Sequence, residues 1–393
     1  MPIEINKMIL GIDASNIRGG GGVTHLIGLL EYANPEAAGF KRVIVWGGRE
    51  TLSHIADKQW LDKRHDFSLD RSLLWRSWWQ TRRLSIQAGI EGCDLLFIPG
   101  GSYVGNFRPY VTISQNMLPF EWSELKRYGF SFTSLKFVLL RLIQGASFRR
   151  ANGLIFLTRY AEKQVHSVIG EARGVTTVIP HGIAKRFLRP NQSKPICEKF
   201  SADRPFRILY VSAVDVYKHQ DKVVSAVAAL SRDGLPVTLD LVGPAYGPEL
   251  KKLLESISQA NEAYDLVRYH GNISRDKIND YYYAADAFVF ASSCENLPMI
   301  LLESMAAGLP IACSDRGPMP EVLGEAGLFF NPESIDTIIV ALRKLFIDLD
   351  LRQQLAQAAS RRAELFSWEA CTEQTFAFLA QTVQKKTPTQ EKY

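Results

Sequence analysis

The sequence of 393 residues lacks the features that mark small secreted proteins, membrane-spanning proteins and cysteine metal sites. Its five cysteines are scattered, odd in number and form no C-x-x-C pair, which indicates neither a disulfide framework nor a cysteine zinc site. No apolar run approaches the roughly 18 residues that span a bilayer. Residues 1–9 contain no cationic segment followed by a long apolar core, so we expect no signal peptide and a reducing cytoplasm as the compartment.

Common nucleotide and metal motifs are also missing. The glycine run Gly19–Gly22 is followed by Val-Thr-His, so it is not a G-x-G-x-x-G fingerprint, and neither a P-loop nor an H-E-x-x-H sequence occurs. The seven histidines show no ligand spacing, and the pair Asp348 and Asp350 follows a helix-like segment, far from any strand end. The sequence pattern therefore gives no candidate metal site.

What the sequence does contain is an ordinary globular composition with an uneven charge. Hydrophobic residues make up 46% and charged residues 22%, which excludes a disordered, collagenous or coiled-coil chain, and the length suggests two domains of roughly 100–200 residues each. Residues 1–190 hold 25 lysines and arginines against 15 acidic residues, whereas residues 191–393 hold 21 against 26. The basic half predicts an anionic partner, either an anionic lipid or a phosphorylated substrate, since no recognised nucleic-acid-binding module is present.

Short apolar, β-branched segments alternate with helix-compatible stretches along the chain. This alternation predicts an α/β architecture with two doubly wound parallel sheets, whose strands are buried on both faces. The polar, proline-bearing residues 189–205 mark the break between the two, and residues 387–393 are expected to form a frayed tail. The predicted strands are Lys7–Asp13, Arg42–Trp46, Leu95–Ile98, Val111–Ser114, Gly153–Thr158, Thr176–Ile179, Phe206–Ser212, Val237–Val242, Val267–His270, Ala287–Ala291 and Pro310–Ser314; the longer predicted helices are His25–Tyr32, Ser134–Arg150, Lys222–Ser231, Pro248–Ala260 and Pro298–Ala307.

Two N-terminal stretches combine arginine with apolar residues and contain no acid. They are Arg71–Arg83, with three of the seven tryptophans, and Ser131–Arg150. Two interpretations stay open, a membrane-surface element and an ordinary helix that packs on the sheet, because both need the same apolar face. On a helix over the first stretch, that face would carry Leu74, Trp75, Trp78 and Trp79.

The segment Ala287–Pro332 carries the strongest chemical signal. A buried strand ends at Ala291, and Pro298 suits the first turn of the helix that follows. The helix N-terminus would then lie at the carboxyl edge of a parallel sheet, where unpaired N–H groups can receive phosphate. Glu295 in the loop and Glu303 inside the helix could line one crevice and accept hydrogen bonds from sugar hydroxyls. The alternative is a helix-capping Glu295 and a solvent-facing Glu303.

This segment resembles the Glu-x7-Glu motif of the family 4 retaining glycosyltransferases, which have the two-Rossmann-domain GT-B fold. The resemblance covers most of the chain and is strongest from about residue 205 to residue 335. It rests on Glu295-Asn-Leu-Pro298, Leu301-Leu-Glu303, Ala306-Ala-Gly308-x-Pro310, Ser314-Asp315, Gly317-x-x-x-Glu321, Gly327 and Pro332, and further on Phe206–Ser212 with Lys218, His270–Ile273, Val178–Gly182 and Gly19–Gly22.

The resemblance implies a role for each of these residues. Lys218 and Glu295 would be catalytic: Lys218 would neutralise the donor diphosphate, a task that suits a flexible point charge, and Glu295 would hold the donor sugar. Glu303 would bind the ribose hydroxyls of the nucleotide. The family needs no metal or other cofactor, because fixed positive groups can replace it. The remaining donor-binding residues would be Asn296, Leu297, Met299, Ile300, Gly271, Asn272, Ile273 and Ser212, and the loops that meet the acceptor or diphosphate would contain Gly20, Gly21, Gly22, Gln115 and Asn116.

Two positions depart from the family pattern. Relatives often carry Gly-Arg after the first strand of the C-terminal domain, with the arginine on the diphosphate, where this chain has Ser212 and Ala213. Either another cation replaces that arginine, with Arg316 and Arg159 as candidates, or Lys218 and the helix N-terminus hold most of the donor phosphates. Gln115 stands where relatives often have a histidine on the donor sugar, and glutamine can bond a hydroxyl but cannot carry a proton charge. A capped turn at Gln115 and Asn116 is the structural alternative.

The sequence thus predicts a glycosyltransferase that moves a sugar from a nucleotide-diphosphate sugar to a saccharide hydroxyl in O-antigen-type or capsule-type polysaccharide biosynthesis. Residues 1–188 would bind the acceptor, residues 206–370 would bind the donor across a central cleft, and residues 371–393 would form a helix and tail that pack back on the N-terminal domain. The basic half would meet a polyprenyl-diphosphate-linked acceptor at the inner face of the plasma membrane. The alternatives are a nucleotide-sugar epimerase or phosphorylase on the same scaffold and a non-catalytic nucleotide-sugar-binding subunit.

Overall fold

The computed structural model describes residues 8–188, 197–245, 247–262, 265–274 and 276–384. These residues form two compact units. Unit 1 contains the described residues up to Trp122, Phe130–Gly182 and the described residues from Ser367 onward, whereas unit 2 contains Ser123–Gly129 and the described part of Ile183–Phe366. The predicted strand start at Lys7, linker residues 189–196 and the predicted tail 387–393 lie outside the described residues.

The described residues form thirteen β-strands and fifteen α-helices, besides five short 3-10 helices and one π-helical turn. The strands are β1 Met8–Ala14, β2 Phe40–Gly47, β3 Leu61–His65, β4 Leu95–Ile98, β5 Tyr110–Ile113, β6 Gly153–Phe156, β7 Val175–Val178, β8 Phe206–Val211, β9 Val237–Val242, β10 Val267–Tyr269, β11 Ala287–Phe290, β12 Ile311–Ser314 and β13 Leu328–Phe330. The helices are α1 Gly20–Glu31, α2 Arg49–Ser53, α3 Leu73–Trp79, α4 Ser85–Ile90, α5 Trp122–Leu125, α6 Phe132–Arg150, α7 Arg159–Ile169, α8 Gln220–Arg232, α9 Pro248–Ala260, α10 Ile278–Ala284, α11 Met299–Ala306, α12 Met319–Leu323, α13 Ile335–Ile347, α14 Leu349–Ala363 and α15 Trp368–Gln384.

Each unit is organised around one all-parallel sheet. The order in unit 1 is β3-β2-β1-β4-β5-β6-β7, and the order in unit 2 is β10-β9-β8-β11-β12-β13. Central strands such as β4, β5, β11 and β12 are buried along their whole length, as expected for strands covered on both faces. The strand order reverses between β1 and β4 and again between β8 and β11, which defines a switch point in each sheet.

The eleven strands predicted from the sequence are confirmed, each within two residues of its predicted ends. Two further strands, β3 and β13, were not predicted. β3 reads Leu-Asp-Lys-Arg-His and lies at a sheet edge, where charged residues are common because they oppose edge-to-edge pairing. β13 has only three residues and also lies at an edge, so it leaves little periodic signal.

The predicted common face of Leu74, Trp75, Trp78 and Trp79 is wrong. Trp79 is 1% exposed and packs in a core cluster with Trp46 and Leu69, whereas the other three side chains are 46% to 81% exposed. On a helix, Trp79 lies about 140° around from Leu74, so it can turn inward while the others face out. Within the described residues, no helix combines the length and apolar character needed to cross a bilayer.

Helix α15 packs in unit 1, against α1 and the loop that follows β7. A Cβ atom at Gly28 would lie 2.6 Å from the ring of Trp368, and one at Gly182 would lie 2.2 Å from its backbone nitrogen. The Trp368 ring centroid also lies 6.0 Å from those of His25 and His181. The two glycines therefore permit a backbone approach that any side chain would block.

The segment Ser123–Gly129 interrupts unit 1 in the sequence but belongs to unit 2. The Tyr128 hydroxyl donates to Asp215 at 2.7 Å, and Arg127 donates to Glu333 at 2.6 Å. Polar contacts thus fasten this short segment to the unit that contains the predicted donor residues.

Candidate functional site

The carboxyl ends of β8 and β11 lie side by side at the switch point of unit 2. In open α/β sheets, ligands bind in the crevice outside the strand ends at such a point. The segment after β8 carries Lys218, and the segment after β11 carries Glu295. These two loops therefore form the candidate site.

Lys218 and Glu295 form a short ion pair at this edge. Their side chains are only 8% and 17% exposed. The ammonium also lies 4.8 Å from the ring centre of Tyr217 and 5.6 Å from that of Phe290, in cation–π contact. Because an uncompensated charge at this depth would be strongly destabilising, Glu295 supplies the counter-charge that lets Lys218 occupy the crevice.

A second polar network joins His219, Ser293 and Glu124 beside this pair. The Ser293 hydroxyl lies 2.7 Å from a Glu124 carboxylate oxygen and 3.3 Å from the Tyr217 carbonyl, so it donates its proton to the nearer acceptor, Glu124. In its 3.1 Å contact with His219, the imidazole Nε2–H therefore donates to the hydroxyl oxygen. Burial lowers the pKa of His219, and the cation of Arg127 adds to this effect. The imidazole is therefore a neutral donor at neutral pH.

The same network fixes the two site loops to each other. The backbone N–H of Ser293 donates to the carbonyl of Tyr217 at 2.8 Å. Glu124, which is 6% exposed, also accepts from Arg127 at 2.7 Å, so its charge is compensated. Sequence reasoning missed Glu124, Ser293 and His219, because Glu124 precedes Ser293 by 169 residues and carries no motif.

His219 has an unusual backbone conformation. Its φ of 51° lies in the left-handed region, and no other non-glycine residue among those described has a positive φ. The residue caps the N-terminus of α8 directly after Lys218. Such strain persists only where surrounding contacts hold it and is concentrated at functional sites.

Glu303 lies within α11 and accepts a hydrogen bond from the Tyr282 hydroxyl at 3.0 Å. Burial, followed by the neighbouring Glu303 charge, raises the pKa of Tyr282 well above its ordinary value, so the phenol stays protonated as a donor. The prediction that Pro298 occupies the first turn is wrong: it is the N-cap, and its ψ of 98° is extended. The first turn therefore begins at Met299, where the initial N–H groups have no intrahelical carbonyl.

The other predicted donor-binding residues lie at the same sheet edge or in the α11 entrance. The Gly271 carbonyl accepts from the Gly243 N–H at 2.8 Å, which joins the loops after β10 and β9. The Ser212 hydroxyl donates to the Ala213 carbonyl at 3.0 Å. Asn296 and Leu297 are buried, Met299, Ile300 and Ile273 are half-buried, and Asn272 is exposed.

The two candidates for the missing arginine lie in different units. Arg316 follows β12, on the same sheet edge as Lys218, and contacts Asp315 and Asn331 at 3.3 Å each. A Cβ at Gly317 would lie 3.9 Å from the Glu295 nitrogen, so this turn lies against the Glu295 loop. Arg159 begins α7 in unit 1 and pairs with Glu162 at 3.0 Å.

In unit 1, two of the predicted acceptor residues, Gly22 and Gln115, lie close together at the start of α1. Gly20 has a φ of 62°, which favours glycine, and a Cβ at Gly22 would lie 3.4 Å from Gln115 Oε1. Gln115 Nε2 is buried and has no hydrogen-bond partner within the described ranges. Asn116 accepts from the Leu118 N–H at 3.1 Å, as in the capped-turn alternative. A Cβ atom at Gly21 would have no described atom within 4 Å.

Asp348, half of the Asp-x-Asp pair, has a structural contact. Its carboxylate accepts from the Leu351 N–H at 2.9 Å and caps α14. A capping carboxylate at a helix start is common and stabilising. The capping contact therefore gives Asp348 a structural role at the start of α14.

Residues 195–362 match the family model described as glycosyl transferases group 1. O-antigen chain mannosyltransferase B of Escherichia coli is 26% identical over 186 residues, which are 47% of this chain and 49% of that protein. Sulfoquinovosyl transferase SQD2 of Arabidopsis thaliana is 26% identical over 170 residues, 42% of this chain and 31% of that protein. The chain thus matches about half or less of the length of these curated relatives.

Solved structures resemble the chain over nearly its whole length. Sucrose-phosphate synthase from Thermosynechococcus elongatus has a TM-score of 0.77 at 19% identity and covers 97% of this chain and 100% of its own. Anabaena HepE in complex with UDP-glucose has a TM-score of 0.68 at 18% identity, with coverages of 96% and 99%. At this identity the likeness concerns the fold, and it confirms the predicted class of two Rossmann-like α/β units with parallel sheets.

Proposed function

We propose that the chain is a family 4 retaining glycosyltransferase, a hexosyltransferase that moves a sugar from a nucleotide-diphosphate sugar to a saccharide hydroxyl. The observation that carries the proposal is the buried Lys218–Glu295 pair at the switch point of unit 2, inside the residues that match the glycosyl transferases group 1 model. A preformed cation beside a carboxylate suits a ligand that carries both phosphates and hydroxyls.

The roles follow from the charges and hydrogen bonds of the site. The Lys218 ammonium would release Glu295, pair with the donor diphosphate and stabilise the negative charge that grows on the leaving phosphate. The N-terminus of α11 would add backbone N–H groups, and Arg316 is the better-supported second cation because it shares this edge. Glu295 would then accept from the donor sugar, and Glu303 from the ribose.

Retention of configuration is proposed to follow a front-side attack, in which the leaving phosphate guides the acceptor hydroxyl. No side chain of the site is assigned as an enzyme nucleophile, and the fixed cations would make a metal unnecessary for the transfer. Gly20–Gly22, Gln115 and Asn116 would receive the acceptor, with the buried Gln115 amide as a hydrogen-bond donor.

We further propose a lipid-linked acceptor, such as a polyprenyl-diphosphate saccharide, and peripheral attachment at the inner face of the plasma membrane. Exposed apolar side chains on α6 support attachment, since Leu135, Leu139 and Leu142 are 56% to 64% exposed beside basic residues. The named O-antigen relative supports a place in surface polysaccharide biosynthesis. Flotation with anionic vesicles at low salt tests attachment, and an absence of binding would remove it.

A panel of nucleotide sugars tests the central proposal. The preferred donor should raise the melting temperature of the protein, because stabilisation grows with ligand concentration over Kd. Lys218→Ala should lower transfer by about 100-fold or more, whereas Lys251→Ala, at an 83% exposed side chain on α9, should leave it unchanged. Unchanged donor turnover in folded Lys218→Ala protein would refute the site.

The products separate the remaining alternatives. An epimerase would interconvert donors without an acceptor, and a pyridoxal-dependent phosphorylase would absorb in the near ultraviolet. A non-catalytic subunit would bind the donor and never transfer or hydrolyse it.

A further inference from the structure

His25, His181 and Cys371 come from three distant parts of the chain and meet inside unit 1. They lie in α1, in the loop after β7 and in α15, and they are only 2%, 4% and 3% exposed. Each residue offers one atom that can bind a metal ion, and these three atoms all lie within 4.8 Å of one another. We propose that these three side chains bind one transition-metal ion of soft or borderline character, with Zn²⁺ as the reference ion.

The two histidines leave hydrogen-bonding capacity unused when they contact only each other. Their Nδ1 atoms lie 2.7 Å apart, and such a contact can hold only one proton. The other nitrogen of His25, Nε2, is buried without a hydrogen-bond partner in the part of the chain that the structure describes. Buried polar atoms are rarely left this way, which points to a further ligand at the cluster.

Cys371 provides the sulfur and the charge of the ligand set. Its thiol is free and buried inside unit 1. On binding, the ion would replace the thiol proton, which passes to solvent, and the two neutral imidazoles would each donate a lone pair. Two nitrogens and one thiolate sulfur match the preference of zinc, with a fourth position for water.

The spacing of the cluster is close to that of a bound site. Zinc–nitrogen bonds of about 2.0–2.1 Å and zinc–sulfur bonds of about 2.3 Å place tetrahedral ligands roughly 3.3–3.8 Å apart. The ligand-type atoms of the cluster lie within 4.8 Å of one another, so they would have to approach by about 1 Å to hold one ion.

An ion at this place would fasten the last helix of unit 1. Its ligands lie on α1, on the loop after β7 and on α15, so one ion would join segments that are otherwise held by packing around Trp368. The proposed ligands are separate from the Lys218–Glu295 pair, since they all belong to unit 1 and the pair belongs to unit 2.

Titration of the chelator-treated full chain with Co²⁺ tests the proposal. We expect one equivalent to bind with a thiolate-to-cobalt charge-transfer band, one equivalent of Zn²⁺ to displace it, and Zn²⁺ to raise the melting temperature. Cys371→Ser should abolish the band and the gain in melting temperature. Cys93→Ser should retain both, because Cys93 is a buried cysteine of the same unit outside the cluster.

Folded wild-type protein that shows neither the cobalt–thiolate band nor a zinc-dependent gain would overturn the site. Metal binding that survives in Cys371→Ser would also overturn it, because the ion would then lie elsewhere. If that variant does not fold, the wild-type titration still decides, and His181→Asn provides a second variant that keeps the sulfur. A parallel anaerobic titration with Cu⁺ shows whether the cluster prefers a soft ion to the borderline ion Zn²⁺. Binding of one equivalent of either ion that depends on Cys371 supports the site.

Discussion

The hydroxyl of Ser293 donates a hydrogen bond to the buried carboxylate of Glu124 at 2.7 Å. Ser293 stands two residues before Glu295, and another of its partners, His219, stands directly after Lys218. A segment of the N-terminal half of the sequence thereby holds both loops that carry the Lys218–Glu295 pair. The position of this pair depends on contacts that lie outside the motif itself.

Ser293→Ala should therefore weaken the fold and the donor site together. The change removes one donor from the Glu124 carboxylate and the acceptor of the His219 N–H, which should lower the free energy of unfolding by about 1–3 kcal/mol. Urea denaturation measures this loss, and donor titration should show weaker binding. Ser292→Ala is the matched control, because within the described residues that hydroxyl donates only to the carbonyl of Cys294 in its own loop. Equal losses in the two variants would contradict the prediction.

Replacement of His219 by two small residues should separate its backbone role from its side chain. His219→Gly and His219→Ala both remove the imidazole, but only glycine adopts a φ of 51° without strain. The glycine variant should therefore be the more stable by about 1 kcal/mol. The same pair of changes at Lys222, inside α8, should give the opposite order, since glycine weakens a helix interior. A more stable alanine variant at 219 would show that the left-handed conformation is not maintained.

The lowered pKa of His219 predicts a loss of stability at acid pH. Because the folded-state pKa lies below the ordinary 6.5, the unfolded chain takes up a proton that the folded chain refuses. Stability should fall as the pH drops from 6.5 toward the folded-state value. His219→Asn should show a flatter dependence in urea midpoints measured between about pH 7.5 and pH 5. His54→Asn, at an exposed histidine, is the matched control for the substitution itself.

Tyr282→Phe should remove the hydrogen bond that positions the Glu303 carboxylate and leave the packing around the ring intact. The change deletes the hydroxyl that donates to Glu303 at 3.0 Å but keeps the ring contacts with Phe187 and Phe288. We expect a loss of about 0.5–1.5 kcal/mol in stability and weaker binding of the donor in thermal-shift titrations. Tyr283→Phe, in the same helix, deletes a hydrogen bond to the Arg186 carbonyl. It should cost similar stability with no change in donor affinity; a matching loss of affinity would argue against a role of Glu303 in binding.

Gly28→Ala should disturb the packing of α15. A Cβ there would lie 2.6 Å from the Trp368 ring, and such overpacking typically lowers stability by about 1–3 kcal/mol. Gly89→Ala provides the control, because nothing lies within 4 Å of a Cβ at that position in α4. That variant should be neutral or stabilised by up to about 1 kcal/mol. Thermal unfolding of the two variants measures the difference, and equal behaviour would contradict close packing at Gly28.

The parallel sheets were predictable because their strands are buried on both faces and appear as short apolar runs. β3 was not, since its Asp-Lys-Arg sequence reflects an edge position rather than a core face. The tryptophan-rich stretch shows a related limit: its composition indicated an amphipathic helix, but the direction of Trp79 depends on the core cavity that it fills.

Within the candidate site, the motif predicted which residues stand on adjacent strand ends, because parallel strands bring their carboxyl ends to one edge. It did not predict that Lys218 and Glu295 contact each other, nor that Glu124 supports them. The His25, His181 and Cys371 cluster was equally hidden, because its members are far apart in sequence and converge only when α15 packs on α1. Contacts of this type arise from tertiary packing and leave no local periodic signal.

The placement of α15 has a consequence for synthesis on the ribosome. Unit 1 needs this helix to cover the face of α1 at Gly28, yet all of residues 183–366 are translated before it. The second unit would thus be complete first, while the earlier-made sheet still exposes apolar surface in the nascent polypeptide. Slow translation or early termination before residue 367 would leave that surface open to aggregation or chaperone capture.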